Sequence, residues 1–148
     1  MPAILIDTNL LVYLYDTQSP EKSEQSRRVL GRLDATHDGR LSVQNLAEFI
    51  QVSTHKLDPP LSRAAALDQA SLFIRMWPVF DLTPLIILEA GRGSRDYGLA
   101  YYDAQIWAAA RLNQVTVVFS EDFSDGQMLE GVRFVNPFAE GFRLEDWA

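Results

Sequence analysis

The chain has 148 residues, 47% of them hydrophobic and none of them cysteine, which suits one ordinary domain with a substantial core and excludes disulfides and thiolate metal sites. Its formal charge is −7, and its 13 basic residues are scattered, with Arg27 and Arg28 the longest run. Charge alone therefore disfavours non-specific phosphate binding, unless several of the acids share one site filled by divalent cations.

The N-terminal stretch "MPAILIDTNLLVYLYD" is apolar, but it has no basic flank and Asp7 divides it. It is expected to be neither a secretion signal nor a membrane span, and the protein to be soluble and cytoplasmic. "AILID" at 3–7 fits a buried strand, and "NLLVYLYD" after it fits a short helix. Residues 20–36 open on proline and acids and carry Val29, Leu30 and Leu33 on one face, which predicts an amphipathic helix. "RLSV" at 40–43 is a strand candidate leading into a helical "QNLAEFIQVSTHK", broken at "LDPPLS" by two prolines. A helix is expected over 62–77, then a strand in "PVFDL", then a helix opened by Thr83 as N-cap with Pro84 in its first turn. "GRGSRDYG" at 91–98 is expected to end that helix. The helix of "YYDAQIWAAA" follows, then the β-branched strand "VTVVF" at 115–119, a turn in "SEDFSDG" and a last strand, "VRFV". Alternation of this kind predicts a three-layer α/β domain over residues 1–148, with a mainly parallel sheet of four to five strands.

In a parallel sheet, sites gather beyond the carboxyl ends of the strands, and four acids fall at that edge. Asp7 ends the first strand, and Asp122 follows the "VTVVF" strand. Glu48 lies on the helix after "RLSV", in helical register with Gln44 and His55, and Asp103 lies early in the helix before "VTVVF". Each has an ordinary explanation: helix caps for Asp7 and Asp103, a turn for Asp122, a solvated helix face for Glu48. Together they would repel one another unless protons or cations offset the charge. Hard divalent ions such as Mg²⁺ or Mn²⁺ bind oxygen ligands and retain waters that can attack a phosphate, so phosphodiester hydrolysis is the implied chemistry.

The segments "LIDTNLLVY" at 5–13, "QNLAEF" at 44–49, "YGLAYYDAQIWAAA" at 97–110, "SEDFSDGQ" at 120–127 and "VNPF" at 135–138 resemble the PIN-domain ribonucleases, and within them the VapC-type toxins of toxin–antitoxin pairs. The resemblance implies an Mg²⁺- or Mn²⁺-dependent endoribonuclease with Asp7, Glu48, Asp103 and Asp122 as its acidic site. Asp7 and Asp103 would be the central metal ligands. Ser120 matches the family's polar position before the last acid, Asn9 would hold Asp7 or a metal-bound water, and Asp125 matches an accessory acid that an Asp–Gly turn explains nearly as well. A cognate antitoxin is the implied partner, inserting Arg or Lys near the acids. A homodimer is expected through part of the 8–15 helix or the 44–77 region.

Arg92 and Arg95 precede the Asp103 helix and are candidates for phosphate contacts, against an ordinary surface role. Gly91 and Gly93 follow a helix and not a strand, so they do not make a dinucleotide loop. The stripe "LLVYLY" at 10–15 and the three tryptophans suit core packing, and His55 is set aside. With few clustered basic residues, the expected substrate is a structured RNA such as tRNA, read by shape. The competing readings are an α/β phosphatase, which would favour an acid where Asn9 stands, and a PIN-like binding or scaffold module without catalysis.

Overall fold

The computed structural model describes residues 2–148, in which a six-stranded sheet runs in the order β3-β2-β1-β4-β6-β5. β1 (Ile4–Ile6) lies in the middle, parallel to β2 (Gly39–Ser42) on one side and β4 (Val117–Phe119) on the other. β3 (Val79–Phe80) extends the sheet beyond β2, and β6 (Val132–Val135) extends it beyond β4, both in parallel. β5 (Met128–Leu129) closes the far edge as an antiparallel hairpin with β6. Five of the six strands thus deliver their carboxyl ends to one edge.

Alternation along the strands sorts the core into two layers, because successive side chains point to opposite faces. Ile4, Ile6, Val117 and Phe119 face the larger cluster, together with Leu10 and Leu11 of α1 (Thr8–Tyr13), Val29, Leu30 and Leu33 of α2 (Pro20–Thr36), Phe49 of α3 (Val43–His55) and Phe73 of α4 (Arg63–Met76). Leu5 and Val118 face the other way, against α5 (Pro84–Tyr97) and α6 (Tyr101–Leu112). The stripe at 10–15 is therefore mostly core. Exposed apolar side chains lie instead on α4 and α5, with Leu67, Ile74, Leu85 and Leu88 each more than half exposed.

Local chemistry starts the helices where the sequence suggests. Ser42 and Asn45 form a reciprocal capping box on α3, Ser62 accepts from the Ala65 N–H, and Thr83 accepts from the Ile86 N–H behind Pro84. One boundary differs from expectation. α5 does not stop at "GRGSRDYG" but runs through it to Tyr97, and Gly98 ends it in the left-handed region at φ 67. Gly93 is there for packing: a Cβ on it would lie 2.6 Å from Cζ3 of the fully buried Trp107. That absent carbon lets α5 and α6 approach closely.

Two further differences concern short-range order. The expected five-residue strands at 78–82 and 115–119 shorten to two and three residues, and the hairpin strand β5 is an addition of two residues. The tail, which the sequence leaves unassigned, packs back on the core. Phe142 and Trp147 meet the Phe119 ring edge-on at 5.6 and 6.3 Å, and Leu144 is buried. Among the described residues no helix is long and apolar enough to cross a membrane.

Candidate active site

Asp7 leaves β1 at the carboxyl edge and caps α1, its Oδ1 accepting from the Thr8 N–H at 2.7 Å. Its Oδ2 accepts from the Ser120 hydroxyl at 2.7 Å, so the residue after β4 holds the residue after β1. Only 4% of Asp7 is exposed. Burial pushes its carboxyl up to about 7, against the two hydrogen bonds that favour the charged form, and the charges of Asp122 and Glu48 push in the same direction as burial.

Ser120 is also buried and organises the turn that follows it: its Oγ accepts from the Asp122 N–H at 3.0 Å. Asn9 reaches the same turn from α1, donating to Asp122 Oδ2 at 3.2 Å. Its own Oδ1 is buried without a hydrogen-bond partner. Asp103 lies in the first turn of α6, where Ala100 holds the cap position and no side chain caps the helix. Burial raises the Asp103 carboxyl above the usual range, and the charges of Asp122 and Glu48 add to it. Asp103 is therefore not explained as a helix cap. It feels the charges of the same two acids, Asp122 and Glu48, that act on Asp7.

Glu48 arrives from α3, its Oε1 accepting from Gln44 Nε2 at 2.5 Å. Glu48, Asn9 and Asp122 line one open groove of about 310 Å³ with Tyr13, Asp16, Lys56 and an apolar wall of Val12, Val52 and Leu57. None of Asp7, Glu48, Asp103 and Asp122 is salt-bridged to a basic side chain among the described residues. The donor chemistry, carboxylate and amide oxygens with one orphaned buried acceptor, fits a hard divalent cation. Among the described residues no three of these groups already stand together as a ready-made metal cage. Glu48 and Asp122 are instead turned toward the side-chain amides of Gln44 and Asn9, as mutually repelling carboxylates will be.

The other sequence candidates lie outside this arrangement. Asp125 accepts from the Asn136 N–H at 2.9 Å and ties the 120–126 turn to the end of β6. Arg92 is committed to Glu89 and to Glu130, the latter at 2.8 Å, and sits over the Trp107 ring. Arg95 pairs with its neighbour Asp96 at 2.7 Å. Neither arginine lines the groove. His55 turns its Nδ1 back to the carbonyl of Gln51.

Two groups were missed in the sequence. Lys22 pairs with Glu121 at 2.9 Å, and the Tyr13 hydroxyl donates to the same carboxylate, fixing the residue beside Asp122. Gln105 is buried and donates to Gln44 Oε1 at 2.7 Å. As the other polar residue in the apolar run "YYDAQIWAAA", two past Asp103, it carried a signal that could have been read.

The parallel α/β sheet carries these acids at its carboxyl edge, the edge at which sites of open α/β domains lie. The model of the PIN domain family matches residues 4–124, and the chain belongs to that family. Among solved structures, a toxin–antitoxin complex from Klebsiella pneumoniae superposes with a TM-score of 0.67 at 17% identity, covering 92% of this chain and 98% of that one. The DNA-bound VapBC complex of Salmonella typhimurium gives 0.66 at 20% identity, with 93% and 99% covered. VapC20 of Mycobacterium tuberculosis, a toxin that cleaves the sarcin–ricin loop, gives 0.63 at 20% identity, with 88% and 99% covered. At these identities the likeness establishes the shared fold. Sequence comparison with curated proteins finds no match.

Proposed function

We propose that this chain is an Mg²⁺- or Mn²⁺-dependent endoribonuclease acting as the toxin of a toxin–antitoxin pair. The observation that carries the reading is electrostatic. Asp7 and Asp103, far apart in sequence, both have carboxyls raised first by burial and further by the charges of Asp122 and Glu48, and among the described residues none of the four is paired with a basic side chain. Such an arrangement costs stability unless a cation resides there.

In this reading Asp7 and Asp103 are the central ligands, and Glu48 and Asp122 bind directly or through water. A divalent ion held by them would supply Lewis acidity toward the phosphate and make water a better nucleophile. Ser120 holds Asp7 by its Oδ2, and Asn9, whose own Oδ1 is buried without a partner, holds Asp122. The apolar wall beside the acids suits a protein segment with a basic side chain and apolar neighbours, which is the chemistry expected of an antitoxin tail. Support for that partner comes from the complexes named above, which share the fold. The substrate is proposed to be a structured RNA, since the groove offers little basic surface for an unstructured strand. Within the 44–77 region expected for a homodimer, the exposed Leu67, Leu72 and Ile74 of α4 are the surface proposed.

The test is incubation of the purified chain with total RNA and Mg²⁺ or Mn²⁺, with and without chelator, beside the Asp103→Asn variant. Cleavage that needs the ion and Asp103 supports the proposal. RNA left intact by the metal-loaded wild type overturns the nuclease reading and leaves a binding module.

A further inference from the structure

Gln105 on α6 and Gln44 on α3 are both buried, 4% and 9% exposed. Gln105 Nε2 donates to Gln44 Oε1 at 2.7 Å, and Gln44 Nε2 donates to Glu48 Oε1 at 2.5 Å and to the Tyr102 carbonyl at 3.0 Å. A carboxylate and a backbone carbonyl only accept hydrogen bonds, so Glu48 and Tyr102 together dictate that Gln44 turn its NH₂ toward them. That leaves the Gln44 carbonyl toward α6, which in turn dictates the NH₂ end of Gln105. The direction of the whole chain is thus set where Gln44 meets Glu48 and the Tyr102 carbonyl. Burying two long amides sacrifices side-chain freedom and demands that every polar atom be satisfied, whereas Leu or Met would pack the helices without that demand.

We infer that Gln105 and Gln44 are positioning residues, a buried two-amide relay that holds one oxygen of Glu48 and so orients this groove-lining carboxylate for a divalent cation. The inference rests on the proposed metal site. The same relay ties Glu48 to the backbone one residue before Asp103, through the Tyr102 carbonyl. Two ligands from distant parts of the chain are thereby held in one frame. Gln105 acts on Glu48 through Gln44, since the two share no hydrogen bond of their own.

The test has a metal-free arm and a metal arm, both on the full chain. In the metal-free protein, the side-chain NH₂ protons of Gln44 and Gln105 should exchange slowly by NMR, and Glu48→Ala should speed exchange at both positions. In the metal arm, Gln105→Met keeps the volume and removes the donor. It should weaken Mn²⁺ affinity, read by calorimetric titration, about tenfold, as loss of an outer-shell partner does. In a Glu48→Ala background the same substitution should change that affinity little. Freely exchanging amides in the wild type, an unchanged affinity in Gln105→Met, or an equal loss in both backgrounds would overturn the relay. If the amide exchange depends on Glu48 but the wild type binds no Mn²⁺, the orientation of Glu48 by the relay is upheld and the metal-site reading is what fails.

Discussion

The Ser120 hydroxyl donates to Asp7 Oδ2 at 2.7 Å, joining residues 113 apart in sequence at the ends of two adjacent parallel strands. The Ser120 Oγ also accepts from the Asp122 N–H, so one side chain sets both the buried acid and the exposed one. Ser120→Ala should cost about 1–3 kcal/mol, because a buried carboxylate loses a donor that water cannot easily replace. Urea denaturation of the metal-free protein near pH 7.5 measures it. Stability equal to wild type would mean that Asp7 does not depend on this hydroxyl.

Asp7 also gives the metal-free fold a specific pH response. Its carboxyl is raised from 3.8 to about 7, so the folded state holds the proton more tightly than the unfolded chain. The stabilisation this confers is fully present below about pH 3.8 and is lost as pH rises through about 7. A shift of that size corresponds to at most about 4 kcal/mol, less whatever the neighbours relax. Other carboxylates titrate too, so the clean measure is the stability difference between wild type and Asp7→Asn. Wild type should lose ground to the variant between pH 5 and pH 7.5, and saturating Mg²⁺ should reverse the trend.

Asp103→Asn keeps the side-chain shape and removes one of the repelling charges. The metal-free variant should melt at or above the wild-type temperature while RNA cleavage is abolished. Mg²⁺ or Mn²⁺ at about a hundred times its dissociation constant should stabilise wild type by roughly 2.7 kcal/mol, and the variant much less. A variant that melts lower, still cleaves and responds fully to metal would return Asp103 to an ordinary helix role.

Gly93→Ala tests the close approach of α5 and α6. The added carbon would sit 2.6 Å from the Trp107 ring, whose indole N–H is itself engaged by the Leu129 carbonyl at 3.1 Å. The ring cannot retreat without breaking that bond, so overpacking should cost about 1–3 kcal/mol, outweighing the better helix propensity of alanine. Thermal melting and the near-ultraviolet signal of the tryptophans report it.

Much of this molecule is written locally. Pro20, Ser42, Ser62, Thr83 and Gly98 punctuate the helices within a residue or two of their observed ends, because caps and left-handed stops act over one turn. Alternation in "ILI" and "VVF" sorts each strand between two layers, and the order of strands and helices leads to the α/β class. The four acids could be named because each stands at a strand end or on the helix flanking one. What the sequence could not decide were matters of distance across the fold. α5 runs through its glycines because Trp107, fourteen residues further on, fills the place of a side chain. Arg92, a candidate for phosphate contact by its position, has a local partner in Glu89 three residues before it, but its pairing with Glu130 exists because a hairpin brings that residue beside α5. Gln44 and Gln105 become one hydrogen-bonded unit because the fold brings α3 and α6, 61 residues apart at this pair, within side-chain reach. Local patterns set the elements, through forces that reach one turn or one strand neighbour. Which side chains then share a proton, a charge or a cation is decided by packing between segments remote in sequence.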